Sequence, residues 1–227
     1  MSGVAVVTGA SSGIGAAIAA ALEQDGYRVA GFDLDESAPY SVDVADPAAV
    51  EVTMRRVATE LGPVDAVVSA AGYYEETPIA DITHGQLHRM LRVHLGGLRN
   101  VARAALPSMI ERRRGSIVAI TSELAVGGGD GEAHYAAAKG AIIGLVRSLA
   151  AEVAAHGVRV NAVAPGPTDT PLLTPDSPWR APEYLATLPA RRLARPGEIA
   201  EVVRYLVSDD AGFCTGEVLS PNSGAVI

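Results

Sequence analysis

Short runs of apolar, largely β-branched residues alternate with longer helix-like stretches along the whole chain. The runs fall at 4–8, 28–32, 64–69, 116–121 and 159–163, each bounded by turn residues. Between them the pattern predicts helices over 13–24, 48–61, 84–113 and 134–156, with a last one over 196–208. Asp46-Pro47 marks one helix start, pairing a cap with a proline at the first helical position, and Pro196-Gly197 marks another. Strands that are apolar on both faces and alternate with helices indicate a parallel sheet covered on both sides. The fold class is therefore α/β, a Rossmann-type doubly wound sheet whose ligands bind at the carboxyl ends of the strands. No linker, low-complexity tract or fixed-period repeat divides the sequence, so residues 1–227 read as a single domain.

Composition narrows the function classes. The chain of 227 residues is 48% hydrophobic and only 4% aromatic, with 24 glycines, as suits a compact core rich in Ala and Val. A net charge of −8 argues against nucleic acid or an anionic membrane as partner. The one dense basic run, Arg112–Arg114, reads as a solvated helix end facing the negative pole of its dipole. The single cysteine, Cys214, excludes an internal disulfide and reads as a small buried residue in a reducing compartment. Met1 leads almost directly into a strand without a charged leader, and the apolar runs are too short to cross a bilayer. The expectation is a soluble, cytoplasmic protein.

Three local patterns carry chemistry. Gly9, Ser11, Ser12, Gly13, Ile14 and Gly15 form a glycine-rich turn directly after the first strand, opening the first helix. Glycines there permit close backbone approach, and the helix start offers unpaired N–H groups to a pyrophosphate. Asp33 ends the second strand 18 residues beyond Gly15, where a carboxylate accepts hydrogen bonds from ribose hydroxyls and repels a 2′-phosphate. Leu34, Asp35 and Glu36 follow it with no basic residue, so the cofactor is expected to be NAD rather than NADP. Tyr135 and Lys139 lie four apart on a predicted helix and so share a face. A lysine ammonium so placed is expected to lower the phenol pKa and tune it for proton transfer. No metal site is expected.

Together TGASSGIG at 8–15, SAAG at 69–72, Ser122, YAAAK at 135–139 and NAVAPGPTDT at 161–170 resemble the short-chain dehydrogenase/reductases, in order over almost the whole chain. The resemblance implies alcohol/carbonyl interconversion with a nicotinamide cofactor. Tyr135 would be the acid/base, Ser122 the donor holding the substrate oxygen, and Lys139 the group binding the nicotinamide ribose. Asp43 and Val44 would flank the adenine, Ala70, Ala71 and Gly72 would line the cofactor, and Pro165, Gly166 and Thr168 would border the nicotinamide. The family is typically tetrameric through the helices at 84–113 and 134–156.

Two departures stand out. Where the family usually has an asparagine serving a proton relay, this chain has His94. Its backbone carbonyl could keep the relay, or its ring could, adding an ionisation at about pH 6–7. Secondly, nine residues separate Asp33 from Asp43, too few for an ordinary helix plus a strand, which should open the adenosine side. That shortening and the run PGPTDT look like NAD-dependent dihydrodiol dehydrogenases, especially those of 2,3-dihydro-2,3-dihydroxybenzoate, with bacterial hydroxysteroid dehydrogenases a competing likeness.

Residues 171–195 are expected to form a substrate lid. Leu172, Leu173, Trp179, Tyr184, Leu185 and Leu188 supply its apolar surface, and Arg180, Arg191 or Arg192 would meet a substrate carboxylate; Tyr73 and Tyr74 would border the pocket. The leading expectation is an NAD-dependent alcohol dehydrogenase or carbonyl reductase for a small cyclic or hydrophobic substrate. A 3-oxoacyl thioester reductase and a non-catalytic NAD sensor are the alternatives.

Overall fold

The computed structural model describes residues 3–226. Its elements run β1 (Val4–Thr8), α1 (Gly13–Gln24), β2 (Arg28–Asp33), β3 (Tyr40–Ser41), α2 (Pro47–Glu60), β4 (Ala66–Ser69), α3 (His84–Leu91), α4 (Gly97–Arg112), β5 (Gly115–Ile120), α5 (Leu124–Gly127), α6 (Ala133–Val153), β6 (Val158–Val163), α7 (Pro182–Thr187), α8 (Pro196–Val207) and β7 (Val218–Leu219). The strands form one seven-stranded sheet in the order β3-β2-β1-β4-β5-β6-β7, every pair parallel.

The alternation inside each strand explains the two helical layers. In β1, Val4 and Val6 face a core shared with α2, α4 and α6, through side chains such as Met54, Val101 and Val146. Ala5 and Val7 face the opposite core, formed with α1 and α8 through Ile18, Leu22, Ile199 and Leu206. Both faces of β1 are buried, so an uninterrupted apolar run was the only pattern compatible with its place.

Local signals work as expected. The Asp46 carboxylate caps α2 by accepting from the backbone N–H groups of Ala48 and Ala49 at 2.9 and 3.1 Å. Between β2 and β3 the chain makes only turns and bends, so no helix covers that edge. Two-residue strands survive at both sheet edges, β3 and β7; neither is long enough to leave an apolar run in the sequence.

The helix expected over 84–113 is not continuous. Arg92–Gly96 forms a π-helical segment between α3 and α4, with His94 at its centre. The basic run at the end of α4 also corrects its sequence reading. Arg112 donates to Asp65 at 2.7 Å and is half-buried, tying α4 to the entry of β4, while Arg113 donates to the Ala155 carbonyl at 2.9 Å. Cys214 is partly exposed rather than buried.

Candidate active site

The sheet order reverses at β1: the chain winds outward to β2 and β3, then crosses back to β4 and onward to β7. Such a switch leaves a crevice at the carboxyl ends of the strands. A cleft of about 420 Å³ opens there, and of the residues named from sequence it is lined by Gly9, Ser12, Gly13, Ile14, Gly15, Asp33, Asp43, Val44, Ala70, Ala71, Gly72, His94, Ser122, Tyr135, Lys139, Pro165, Gly166 and Thr168.

The glycine turn has the shape a dinucleotide needs. Gly9 and Gly13 have φ of 70° and 54°, and a Cβ on Gly9 would sit 2.9 Å from the Ala71 backbone. A Cβ on Gly15 would come within 2.0 Å of the Gly9 carbonyl oxygen, so α1 can pack this closely on its strand only with glycine there. Ser12 starts α1 without a side-chain cap, and the first turn carries no acid, which leaves its positive end free for phosphate oxygens. Beside it Thr8 Oγ1 accepts from Ala70 and Ala71 N–H at 3.0 and 2.9 Å, pinning the β4 end against β1. Ser11 is the exception among the turn residues: it is exposed, does not line the cleft, and its N–H donates to Asp33 Oδ2 at 3.0 Å. That bond holds the Asp33 carboxylate at the cleft wall. On the adenosine side, Asn100 donates to the Val44 carbonyl at 2.9 Å, and Asp43 accepts from Ala45 N–H at 2.8 Å. These residues fit a nicotinamide dinucleotide.

The Ser-Tyr-Lys group is assembled by β5 and α6. Lys139 Nζ donates to the Ile120 carbonyl at 2.9 Å, and Thr121 Oγ1 donates to the Lys139 carbonyl at 2.7 Å, so the strand end and the helix hold each other. Nζ lies 5.6 Å from the centroid of the Tyr135 ring. The ring is wedged between Tyr74 and His94, both edge-on, at 5.3 and 5.6 Å.

Burial overturns two expectations about charge. It pushes the Tyr135 phenol up, against the lowering effect of the Ser122 hydroxyl and with the Glu132 charge adding to the rise, opposite in direction to the lowering expected from sequence. Burial also brings the Lys139 ammonium down to about 8. His94 is 3% exposed, and burial, followed by the neighbouring Lys139 charge, lowers its ring to about 3. An ionisation of this ring at about pH 6–7 is therefore not available. Nε2 donates instead to the Tyr73 carbonyl at 2.9 Å, and the ring fills the space above Gly72, where a Cβ would meet Cε1 at 2.4 Å.

The segment 171–195 brings Leu172, Leu173, Trp179 and Tyr184 to the cleft, joined there by Tyr73 and Tyr74, but not Leu185 or Leu188. None of its expected carboxylate-binding arginines lines the cleft. Arg180 is spent on Asp169 at 2.7 Å and on the carbonyls of Thr170 and Leu173; Arg192 is paired with Glu198 at 2.6 Å. Two acids that sequence reasoning passed over do line it: Glu123, directly after Ser122, and Glu132, one helical turn before Tyr135. Their positions beside the two reactive hydroxyls were the signal that could have found them. Among the described residues, no group of three or more His, Cys, Asp or Glu is placed to hold a metal.

A family model described as enoyl-(acyl carrier protein) reductase matches residues 9–225. Among curated relatives, a 3-oxoacyl-(acyl-carrier-protein) reductase FabG of Escherichia coli (strain K12) is 35% identical, over 97% of this chain and 96% of its own. An acetoacetyl-CoA reductase of Shinella zoogloeoides is 37% identical, over 99% and 98%. The ligand-free structure of Thermoplasma acidophilum aldohexose dehydrogenase superposes with a TM-score of 0.92 at 32% identity, over 98% of this chain and 93% of the other.

Proposed function

Since the chain belongs to the short-chain dehydrogenase/reductases, a family of oxidoreductases that use nicotinamide cofactors, we propose that it interconverts a secondary alcohol and a ketone on a small cyclic or hydrophobic substrate, with NAD(H) as cofactor. The observation that carries this reading is the convergence of Ser122, Tyr135 and Lys139 on one cleft with the glycine turn of α1. When bound, the nicotinamide supplies the hydride in reduction and accepts it in oxidation. The chain's own residues do the rest. Ser122 donates to the substrate oxygen and holds it near Tyr135. Tyr135 gives its phenol proton to that oxygen in reduction, for which its raised pKa keeps it in the acid form at neutral pH, and in oxidation it takes the alcohol proton as phenolate, once its own proton has left by way of Lys139. Lys139, held at the Ile120 carbonyl, binds the nicotinamide ribose and passes protons outward, with the backbone of the π segment at His94 as the next station. Asp33 binds the adenosine ribose and excludes a 2′-phosphate, with Asp43 and Val44 beside the adenine.

Residues 171–195 act as a lid over the substrate end of the cleft, where Leu172, Leu173, Trp179 and Tyr184 supply an apolar wall for a small cyclic substrate. The protein works in the cytoplasm as a homotetramer packed through the helices at 84–113, α3 and α4, and at 134–156, chiefly α6; no helix among the described residues is long and apolar enough to cross a membrane. A second reading has a specific support: the relatives above include reductases of 3-oxoacyl and acetoacetyl thioesters. NADH consumption with cyclic ketones and with acetoacetyl-CoA, at matched concentration, decides between them. Cyclic ketones are expected to give the higher kcat/KM; a preference for the thioester would overturn the first reading. Tight NAD binding with no turnover of either would favour a sensor, against which the intact Tyr135-Lys139 pair stands.

A further inference from the structure

The substrate end of the cleft holds two carboxyl groups that the hydride and proton transfers do not use. Glu123 and Glu132 both line it, at 7% and 0% exposure. Each has one carboxyl oxygen, Oε2, that is buried and has no hydrogen-bond partner in the protein. Glu132 Oε1 accepts from the Tyr74 hydroxyl at 2.6 Å, and Glu123 carries no comparable partner. Buried acids normally sit beside a cation, because an uncompensated carboxylate in a poorly solvated site is costly. Among the described residues no basic side chain forms an ion pair with either; of the cations lining the cleft, Arg89 is stacked on Tyr73 at 4.8 Å and Lys139 donates to the Ile120 carbonyl at 2.9 Å. Both acids are raised: burial, followed by the Glu132 charge, pushes Glu123 up to about 7, and burial, with the Glu76 charge adding to it, pushes Glu132 up against the lowering effect of the Tyr74 hydroxyl.

Aromatic rings complete the wall. Tyr74, Trp179 and Tyr184 line the same cleft, with Trp179 and Tyr184 edge-on at 4.8 Å. Burial, followed by the charges of Glu123 and Glu132, raises the Tyr184 hydroxyl, and all three residues line the same cleft. Aromatic faces with a nearby carboxylate attract an ammonium group, through ring quadrupoles and charge-assisted hydrogen bonds.

We infer that Glu123 and Glu132, walled by Tyr74, Trp179 and Tyr184, bind a protonated amine on the substrate, so that the preferred substrates are small cyclic amino ketones and amino alcohols. The inference rests on the alcohol/ketone reading above and names its substrate class. The unpartnered Oε2 atoms then gain the cation that the chain itself withholds. A substrate carboxylate would meet two acids and no free arginine. A neutral polyol would satisfy the acids by donating hydroxyl hydrogens, but would leave their charge uncompensated.

The test uses four cyclohexanones that differ only in the group opposite the carbonyl: dimethylamino, isopropyl, hydroxyl and carboxylate. Reduction by NADH and calorimetric binding to the enzyme–NAD complex are both measured. The dimethylamino compound should exceed its isopropyl isostere by about ten- to a hundredfold in kcat/KM and in affinity, the scale of one charge-assisted hydrogen bond. Glu123→Gln, and separately Glu132→Gln should the first variant fold poorly, should bring that ratio toward one. Equal binding of the dimethylamino and isopropyl compounds overturns the proposal, as does tighter binding of the hydroxyl compound, which would mark a polyol site. If none of the four is reduced while the dimethylamino preference persists in binding, the cation site stands and the reaction reading falls.

Discussion

Tyr135 shows how one side chain can be named from sequence and still have its chemistry set by its surroundings. The YAAAK pattern identified the pair, but burial, absent from any four-residue pattern, raises the phenol and lowers the ammonium. The free protein therefore holds a tyrosine acid and a lysine close to its titration range at neutral pH. Tyr135→Phe should cut kcat by roughly 10²–10⁴, the usual contribution of general acid/base catalysis, while calorimetric NAD binding persists. A variant keeping more than half of wild-type kcat would remove Tyr135 from the role. Glu123 gives a second residue-scale outcome. Its folded pKa of about 7 stands above the ordinary 4.5, so between those values the folded protein holds the extra proton. Stability should fall as pH rises through that window, and Glu123→Gln should flatten the fall; denaturation at each end of the window, wild type against variant, reads it.

At the scale of elements, the π segment Arg92–Gly96 decides what His94 can do. Widening the helical ladder places the ring over Gly72 and its Nε2 on the Tyr73 carbonyl, between α3 and the β4 end. A histidine so enclosed stays neutral. The kcat–pH profile should therefore lack a His94 ionisation at about pH 6–7, and its presence in wild type with loss in His94→Asn would restore the ring relay. Gly72→Ala should cost about 1–3 kcal/mol in chemical denaturation, because its methyl overlaps the His94 ring; a cost near zero would show that the π segment yields. Neither the π segment nor the edge strands β3 and β7 could be read from the chain. A π turn has no periodicity distinct from the α pattern around it, and two residues make no alternation to detect.

For the whole molecule, the reversal of strand order at β1 places the glycine turn, Asp33 and the Ser-Tyr-Lys group around one crevice, so cofactor binding should stabilise the entire fold by mass action. NAD at about 100 times its Kd should add about 2.7 kcal/mol, and the melting temperature should rise more with NAD than with NADP at equal concentration. Asp33→Ala should narrow that difference; equal shifts with the wild type would mean that Asp33 does not select the cofactor. The sequence by itself determined the parallel sheet with its two helical layers, because a strand buried on both faces must be apolar throughout. It also determined the glycine turn and the ordered motifs, since close backbone approach and a shared helix face are local demands written in residue type and spacing. Only the tertiary structure decided the charge states, the employment of Arg112, Arg180 and Arg192 as structural ties, and the meeting of Glu123 with Glu132 beside Trp179 and Tyr184. Those outcomes depend on which distant segments exclude water from a group and which cation reaches it first, and the chain order of residues holds no record of either.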